Sequence, residues 1–86
     1  MLRCVNVVSG NTLQASDRTW LVLEGVDAPP VCTDEGVAAR DLLIDLALNA
    51  PIHCRITGTL PHGARTAVVW TDDPAMTLNE LMREST

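Results

Sequence analysis

Two consecutive prolines, Pro29 and Pro30, constrain the fold of this 86-residue chain more than any other feature of its sequence. Each proline fixes its own φ angle and lacks a backbone N–H donor, so neither a helix nor a central strand can run through the pair. The segment before the prolines and the segment after them must therefore be separate structural units that are joined by an extended loop.

The segment before the prolines has the pattern of three short strands. An apolar, β-branched run at residues 2–8 ends at Ser9-Gly10-Asn11, which has the composition of a tight turn. Thr12–Ala15 is the second predicted strand, residues 16–18 form the next turn, and residues 19–23 are the third strand. These three strands are predicted to form a meander.

The segment after the prolines begins with a helix. The short oxygen-bearing side chain of Thr33 or Asp34 can cap it, because such a side chain accepts a hydrogen bond from the free N–H groups of the first turn. The helix is predicted to continue to about Asn49, where Pro51 follows. Its apolar residues recur at spacings of three and four and form one stripe: Ala38, Ala39, Leu42, Leu43, Leu46 and Ala47.

Two further strands and a short helix complete the predicted order of elements. Ile52, Cys54 and Ile56 alternate with polar residues, which indicates a half-buried strand, and residues 58–63 supply a turn. A fifth strand is predicted at residues 65–71, and Asp72-Asp73-Pro74 ends it. The sequence Thr77-Leu78-Asn79-Glu80 has the form of a capping box at the start of a short helix.

This order of elements predicts a mainly β (α+β) fold. It is that of a small five-stranded OB-fold barrel with one helix between strands 3 and 4 and a short C-terminal helix. The hydrophobic content of 47% is sufficient for one compact core, and no repeat or linker interrupts the sequence. We therefore expect residues 1–86 to form a single domain.

The charge balance and the aromatic content argue against nucleic acid as a partner. Six arginines, no lysine and eleven carboxylates give a net charge of -5, whereas binding to a phosphate backbone depends on cationic neutralisation. Trp20 and Trp70 are the only aromatic residues apart from histidine, and both lie in apolar runs where they are expected to anchor the core. A protein partner with a basic surface is the better expectation.

Nothing in the sequence predicts contact with a membrane. Polar residues or prolines interrupt every apolar run well before the length of about 18 residues that indicates a transmembrane helix. The N-terminal run at residues 2–8 is too short for the apolar region of a signal peptide. Three cysteines cannot all pair within one chain, which is consistent with a reducing compartment, and we expect a cytoplasmic protein.

The segment Leu23-Glu24-Gly25-Val26-Asp27-Ala28-Pro29 resembles the hallmark of staphylococcal-nuclease-like domains, which is Arg-Leu-any-Gly-Ile/Val-Asp-Ala/Thr-Pro-Glu. Four further segments resemble the family in the same order: Val8-Ser9-Gly10-Asn11-Thr12-Leu13, Gly36 with Ala39 and Leu42-Leu43, Gly63 before Ala67-Val68-Val69, and Leu78-Asn79-Glu80. The resemblance covers nearly the whole chain and implies the same OB-fold barrel.

Active members of that family hold a calcium ion with carboxylates, and the resemblance carries this site onto three positions here. Asp27 matches one carboxylate ligand, while Asn11 stands where the family has an aspartate ligand, with Thr12 beside it. An amide can offer its carbonyl oxygen to calcium but brings no negative charge. The resemblance therefore implies either no cofactor or calcium at low affinity.

The other catalytic positions of the family are substituted. In active members two arginines stabilise phosphoryl charge, and their positions correspond to Val22 and Ala64 here. A glutamate assists the attacking water in those members, and its position corresponds to Pro30. Arg65 follows Ala64, but a shift by one residue in a strand turns a side chain to the opposite face. The resemblance therefore implies a nuclease-like domain that lacks most of the catalytic groups.

Two hypotheses about function remain open at this point. The first is a non-catalytic module that binds a macromolecular partner, more readily a protein than a nucleic acid, as an inhibitor or as a competitor for a nucleic-acid site. The alternative is a weak or altered calcium-dependent phosphodiesterase or nuclease that uses Asp27 and neighbouring acids. Loss of the arginines and the glutamate favours the first hypothesis, so enzymatic activity is not expected.

The candidates for a binding groove are the acids near Asp27 in the sequence, Glu24, Asp34 and Glu35, together with Arg65. A simpler interpretation is that Asp34 and Glu35 stabilise the helix N-terminus while Glu24 faces water. If the alignment with the family is correct, Val22 and Pro30 should lie beside Asp27 at the mouth of the groove.

Overall fold

The computed structural model describes residues 2–72 and 76–85 of the chain. Its elements follow in the order β1 (Leu2–Ser9), β2 (Thr12–Ala15), β3 (Trp20–Leu23), α1 (Asp34–Ala47), β4 (Pro51–Thr59), β5 (Arg65–Trp70) and α2 (Leu78–Ser85). The predicted order of five strands and two helices is confirmed. Asp73 and Pro74, which were expected to end the fifth strand, lie outside the described residues.

The five strands form a closed barrel in the order β1-β2-β3-β5-β4. The pairing of β3 with β5 is parallel and the other pairings are antiparallel; the barrel closes where Leu2 of β1 pairs with Ile52 of β4. The closing contact is short, since in the described part of the chain β1 and β4 pair only through Leu2 and Arg3 with Ile52 and Pro51. The molecule is therefore a small mainly β (α+β) barrel of the OB-fold type, as the sequence predicted.

Apolar side chains from both the barrel and the helices form one core. Alternation along the strands directs the largest fully buried side chains inwards: Leu13, Leu21, Leu23, Ile52 and Val69. Helix α1 adds Ala39, Leu43 and Ala47, and helix α2 adds Leu78 and Met82. Neither helix in the described part of the chain is long and apolar enough to span a membrane.

The prediction that Trp20 anchors the core is wrong. Leu21 and Leu23 occupy the inward positions of β3, so Trp20 and Val22 lie on the outer face of the barrel. The side chain of Trp20 is 36% exposed. Because an apolar run contains hydrophobic residues on both faces of a strand, the run alone could not reveal which residues point inwards.

Strand β4 differs from its predicted form in two ways. Its pairing with β5 continues through Gly58 and Thr59, so the connecting turn is shorter than the predicted segment 58–63. A register shift between Ile56 and Gly58 interrupts the alternation, and Ile56 is exposed although the period-two pattern placed it inside.

Helix α1 begins as predicted but ends earlier. The Thr33 hydroxyl accepts a hydrogen bond from the Gly36 N–H at 3.0 Å and donates one to the Pro30 carbonyl oxygen at 2.7 Å. The helix ends at Ala47, because Leu48 is extended and forms a bridge with Cys4 of β1. The apolar stripe on this helix is wider than its contact with the barrel: Ala39, Leu43 and Ala47 are buried, whereas Ala38 is exposed.

Candidate functional site

The loop that follows β3 is fixed to the β1–β2 turn by one side chain. Asn11 Nδ2 donates a hydrogen bond to the Val26 carbonyl oxygen at 3.1 Å. Its Oδ1 accepts hydrogen bonds from the hydroxyls of Ser9 and Thr12, at 2.8 and 3.0 Å. The Asn11 carboxamide therefore connects the turn to the residue that precedes Asp27.

The largest concave surface, which we call the Asp27 groove, lies between this loop and the two helices. It encloses about 810 Å³ and is lined by Gly25, Asp27, Pro29, Glu35, Ala38, Ala39, Leu42 and Arg83. Asp27, Glu35 and Ala38 are exposed, and Leu42 is half-buried because it also packs against the core. The groove thus combines an apolar lining with two carboxylates.

Arg83 of α2 also lines the groove, next to Gly25. Its Nε donates a hydrogen bond to the Gly25 carbonyl oxygen at 3.3 Å. This contact links α2 to the turn that follows β3. The groove wall is therefore formed by elements that are far apart in the sequence.

A second concave surface, which we call the Trp20 concavity, lies on the outer face of β3. It encloses about 460 Å³ and is lined by Val8, Thr12, Trp20, Val22, His62 and Ala64. Val22 is opposite Thr12 in the pairing with β2 and opposite Thr66 in the parallel pairing with β5. This arrangement places Val22 and Ala64, which the family resemblance aligns with two arginines, in the wall of one concavity.

Arg65 lies on a different surface from Ala64. It lines a small pocket together with Asp17, Thr19 and Cys54. The pKa of Asp17 is lowered, chiefly because the Thr19 N–H donates a hydrogen bond to its carboxylate, and the nearby charge of Arg65 lowers it further. The one-residue shift along β5 thus separates Arg65 from the Trp20 concavity.

The remaining sequence candidates are distributed around the Asp27 groove. Glu24 is exposed and lines a neighbouring concave surface with Gly25 and Arg83. Asp34 is exposed in the first turn of α1. The prediction that Val22 and Pro30 lie beside Asp27 at the mouth of the groove is not met: Val22 lines the Trp20 concavity, and Pro29 instead of Pro30 lines the groove.

Two acids that the sequence analysis left out lie on the exposed side of α1. Asp41 and Asp45 follow Asp34 by seven and eleven residues, which brings all three close to one line along the helix. Ala38 and Leu42 lie on the adjacent part of the helix surface, between this line and Glu35. The spacing was visible in the sequence, but only the structure shows that the neighbouring apolar residues face a groove.

Metal binding, and thiol chemistry at Cys4 and Cys54, find little support in the side chains of residues 2–72 and 76–85. Within these ranges no group of three or more His, Cys, Asp or Glu side chains is arranged to hold a metal ion. Burial raises the pKa of the Cys4 and Cys54 thiols, which disfavours the nucleophilic thiolate at both positions.

The comparisons with known proteins give no family for this chain. No protein-family model matches it. A search of curated proteins finds no significant match either. The function must therefore be inferred from the concave surfaces of the domain and from the residues that line them.

Proposed function

We propose that this domain is a non-catalytic, staphylococcal-nuclease-like OB-fold module that binds a protein partner with a basic surface. The observation that carries the proposal is the lining of the Trp20 concavity. Val22 and Ala64 meet there beside Val8 and Trp20, at the two positions where the resembled family has its arginines. An apolar wall in this place favours contact with a partner over stabilisation of phosphoryl charge.

The main obstacle to a nuclease mechanism is the loss of the side chains that would stabilise the negative charge of the transition state. Removal of a single electrostatic stabiliser commonly lowers kcat by about 10²–10³-fold. Valine and alanine cannot donate hydrogen bonds from their side chains, and Pro30 cannot transfer a proton. Three substitutions at the aligned positions therefore remove most of the acceleration that a phosphodiesterase needs.

The donor set around Asp27 does not fit calcium, which prefers six to eight oxygen ligands. The Asn11 carbonyl oxygen already accepts hydrogen bonds from two hydroxyls, and one of these belongs to Thr12, the third predicted ligand. Asp27 and Glu35 are the carboxylates of the groove. We therefore propose that Asp27 contributes negative charge to a binding surface.

The charge of the domain indicates the chemistry of its partner. A net charge of -5 repels phosphate backbones and attracts basic protein surfaces, including those that themselves bind nucleic acid. This domain would then compete with nucleic acid for the basic surface of such a partner. Association should weaken as salt is raised, because exposed charges are screened over about 10 Å at 0.1 M ionic strength.

We expect the purified domain to show neither calcium uptake by calorimetry nor cleavage of labelled DNA and RNA in the presence of calcium. Asp27→Ala should leave the thermal unfolding midpoint nearly unchanged, because Asp27 is exposed and surface substitutions usually change stability by less than about 0.5 kcal/mol. Calorimetry, a gel assay and thermal unfolding of both proteins provide the three measurements.

One result would contradict the proposal directly. Calcium-dependent cleavage that disappears in Asp27→Ala would show that the groove is a catalytic site and that the alternative of an altered phosphodiesterase is correct. Asp72→Ala is the control, because Asp72 is also an exposed carboxylate but lies two residues after β5, beside His53 and away from the groove lining. Its activity should equal that of the unmodified domain in either case.

A further inference from the structure

We propose that the Asp27 groove binds a basic amphipathic helix, and that this helix is the segment through which the partner is recognised. The inference rests on the proposed function and adds to it the surface and the shape of the bound segment. Its basis is an apolar strip, Ala38 and Leu42, that has carboxylates on both sides.

The two acidic borders come from different parts of the fold. Asp27 and Glu35 lie in the groove lining on the side of the loop. On the other side of the apolar strip, Asp34, Asp41 and Asp45 form the exposed line along α1. A ligand that buries apolar side chains on the strip therefore meets negative charge on both flanks.

An amphipathic helix has the complementary surface. Its apolar residues recur every three or four positions and can cover Ala38 and Leu42, which are themselves four residues apart on α1. Lysines or arginines at the borders of its apolar face would approach the two rows of carboxylates. An extended peptide lacks this match, because its side chains alternate between two faces instead of forming one apolar stripe.

The charge of the domain argues against other occupants of the groove. A second copy would bring another net charge of -5 to an acidic surface, and a nucleic acid would bring phosphates. Arg83 lies at one wall of the groove, where it is hydrogen-bonded to the Gly25 carbonyl oxygen. Arg40 pairs with Asp41 on the α1 border at 3.5 Å, and the five carboxylates of the two borders outnumber these two arginines.

The test uses the whole chain and a defined probe. The probe is a blocked peptide of leucine and lysine, about 14 residues long and thus roughly four helical turns, with leucines at helical spacing. A scrambled peptide of the same composition is the control for charge alone. In a titration of the 15N-labelled domain, the amphipathic peptide should bind at least tenfold more tightly and shift the amide signals of Asp27, Glu35, Ala38 and Leu42.

A pair of variants tests whether the groove itself is the site. Ala38→Lys places a positive charge on the apolar strip and should weaken binding of the amphipathic peptide by about tenfold or more. Thr59→Lys adds the same charge at an exposed position of β4 that does not line the groove, and should change affinity by about twofold at most. Lysine and alanine are both good helix formers, so Ala38→Lys should fold.

Several outcomes would overturn the inference while leaving the proposed function in place. These are absence of binding, equal binding of the scrambled peptide, equal effects of the two variants, or shifts confined to Val8, Trp20 and Val22. Shifts at the groove that depend on domain concentration without peptide would show a second copy as the occupant. Calcium-dependent cleavage is a separate result that contradicts the proposed function.

Discussion

Asn79→Leu should lower the free energy of unfolding by about 4 kcal/mol and the unfolding midpoint by roughly 15–30 °C. Asn79 is 2% exposed, and its carboxamide makes three hydrogen bonds to the barrel backbone. Its Oδ1 accepts from the Val69 N–H at 2.9 Å, and its Nδ2 donates to the carbonyl oxygens of Glu24 and Ala67 at 2.9 and 3.0 Å.

These bonds continue the parallel pairing of β3 with β5 beyond the end of β3. The pairing ends at Leu23 opposite Ala67, and the Glu24 N–H still donates to the Ala67 carbonyl oxygen. The side chain of Asn79 then supplies the donor and acceptor that the next strand residue would have provided. Leucine would leave the buried Val69 N–H without its acceptor, at a cost of about 1–3 kcal/mol, and would remove the donor to the partly buried Glu24 carbonyl oxygen.

Asn6→Leu is the matched control for this prediction. It makes the same chemical change at an exposed position of β1 and should alter the free energy of unfolding by no more than about 0.5 kcal/mol. Chemical denaturation of the three proteins gives the comparison. If Asn79→Leu proved as stable as Asn6→Leu, the carboxamide would not be the link that holds α2 against the barrel.

The arrangement of strands and helices could be predicted because local signals agree with the fold. The turn at Ser9-Gly10-Asn11 and the Thr33 cap each define a boundary that the structure reproduces to within one or two residues, and the proline pair lies in the loop between β3 and α1. The bonds of Asn79 could not be predicted, because their partners lie 10 to 55 residues away in the sequence. The family resemblance selected Asn79 but did not state what its side chain does.

The candidate site was harder to predict than the fold. Asp27 and Glu35 were selected from the sequence and lie in one groove, whereas Arg65, selected with them, lies beside Asp17. Alternation along an extended chain separates Arg65 from Ala64, and it also explains why Trp20 is on the outer face with Val22. Arg83 could not be associated with Asp27 from sequence, because the packing of α2 alone brings it to the groove.

Gly36→Ala should destabilise the domain by about 3 kcal/mol, although the same change in an exposed helix stabilises it by about 1 kcal/mol. A Cβ at this position would collide with the Pro30 carbonyl oxygen and would lie 2.9 Å from that of Pro29. The Pro30 carbonyl oxygen cannot move away without loss, because it accepts hydrogen bonds from both the N–H and the hydroxyl of Thr33.

Gly63→Ala separates this packing effect from the conformational effect of glycine. Gly63 has a φ of +91° but nothing within 4 Å of the added Cβ, so its substitution should cost only about 1 kcal/mol of backbone strain. Denaturant titrations of both variants measure the difference.

Because Pro29 lines the Asp27 groove, Gly36→Ala should also weaken binding of the amphipathic peptide, whereas Gly63→Ala should not. A stabilised Gly36→Ala domain would show that the loop and α1 are not in contact at Gly36. Pro29 would then not form the wall of the groove beside α1.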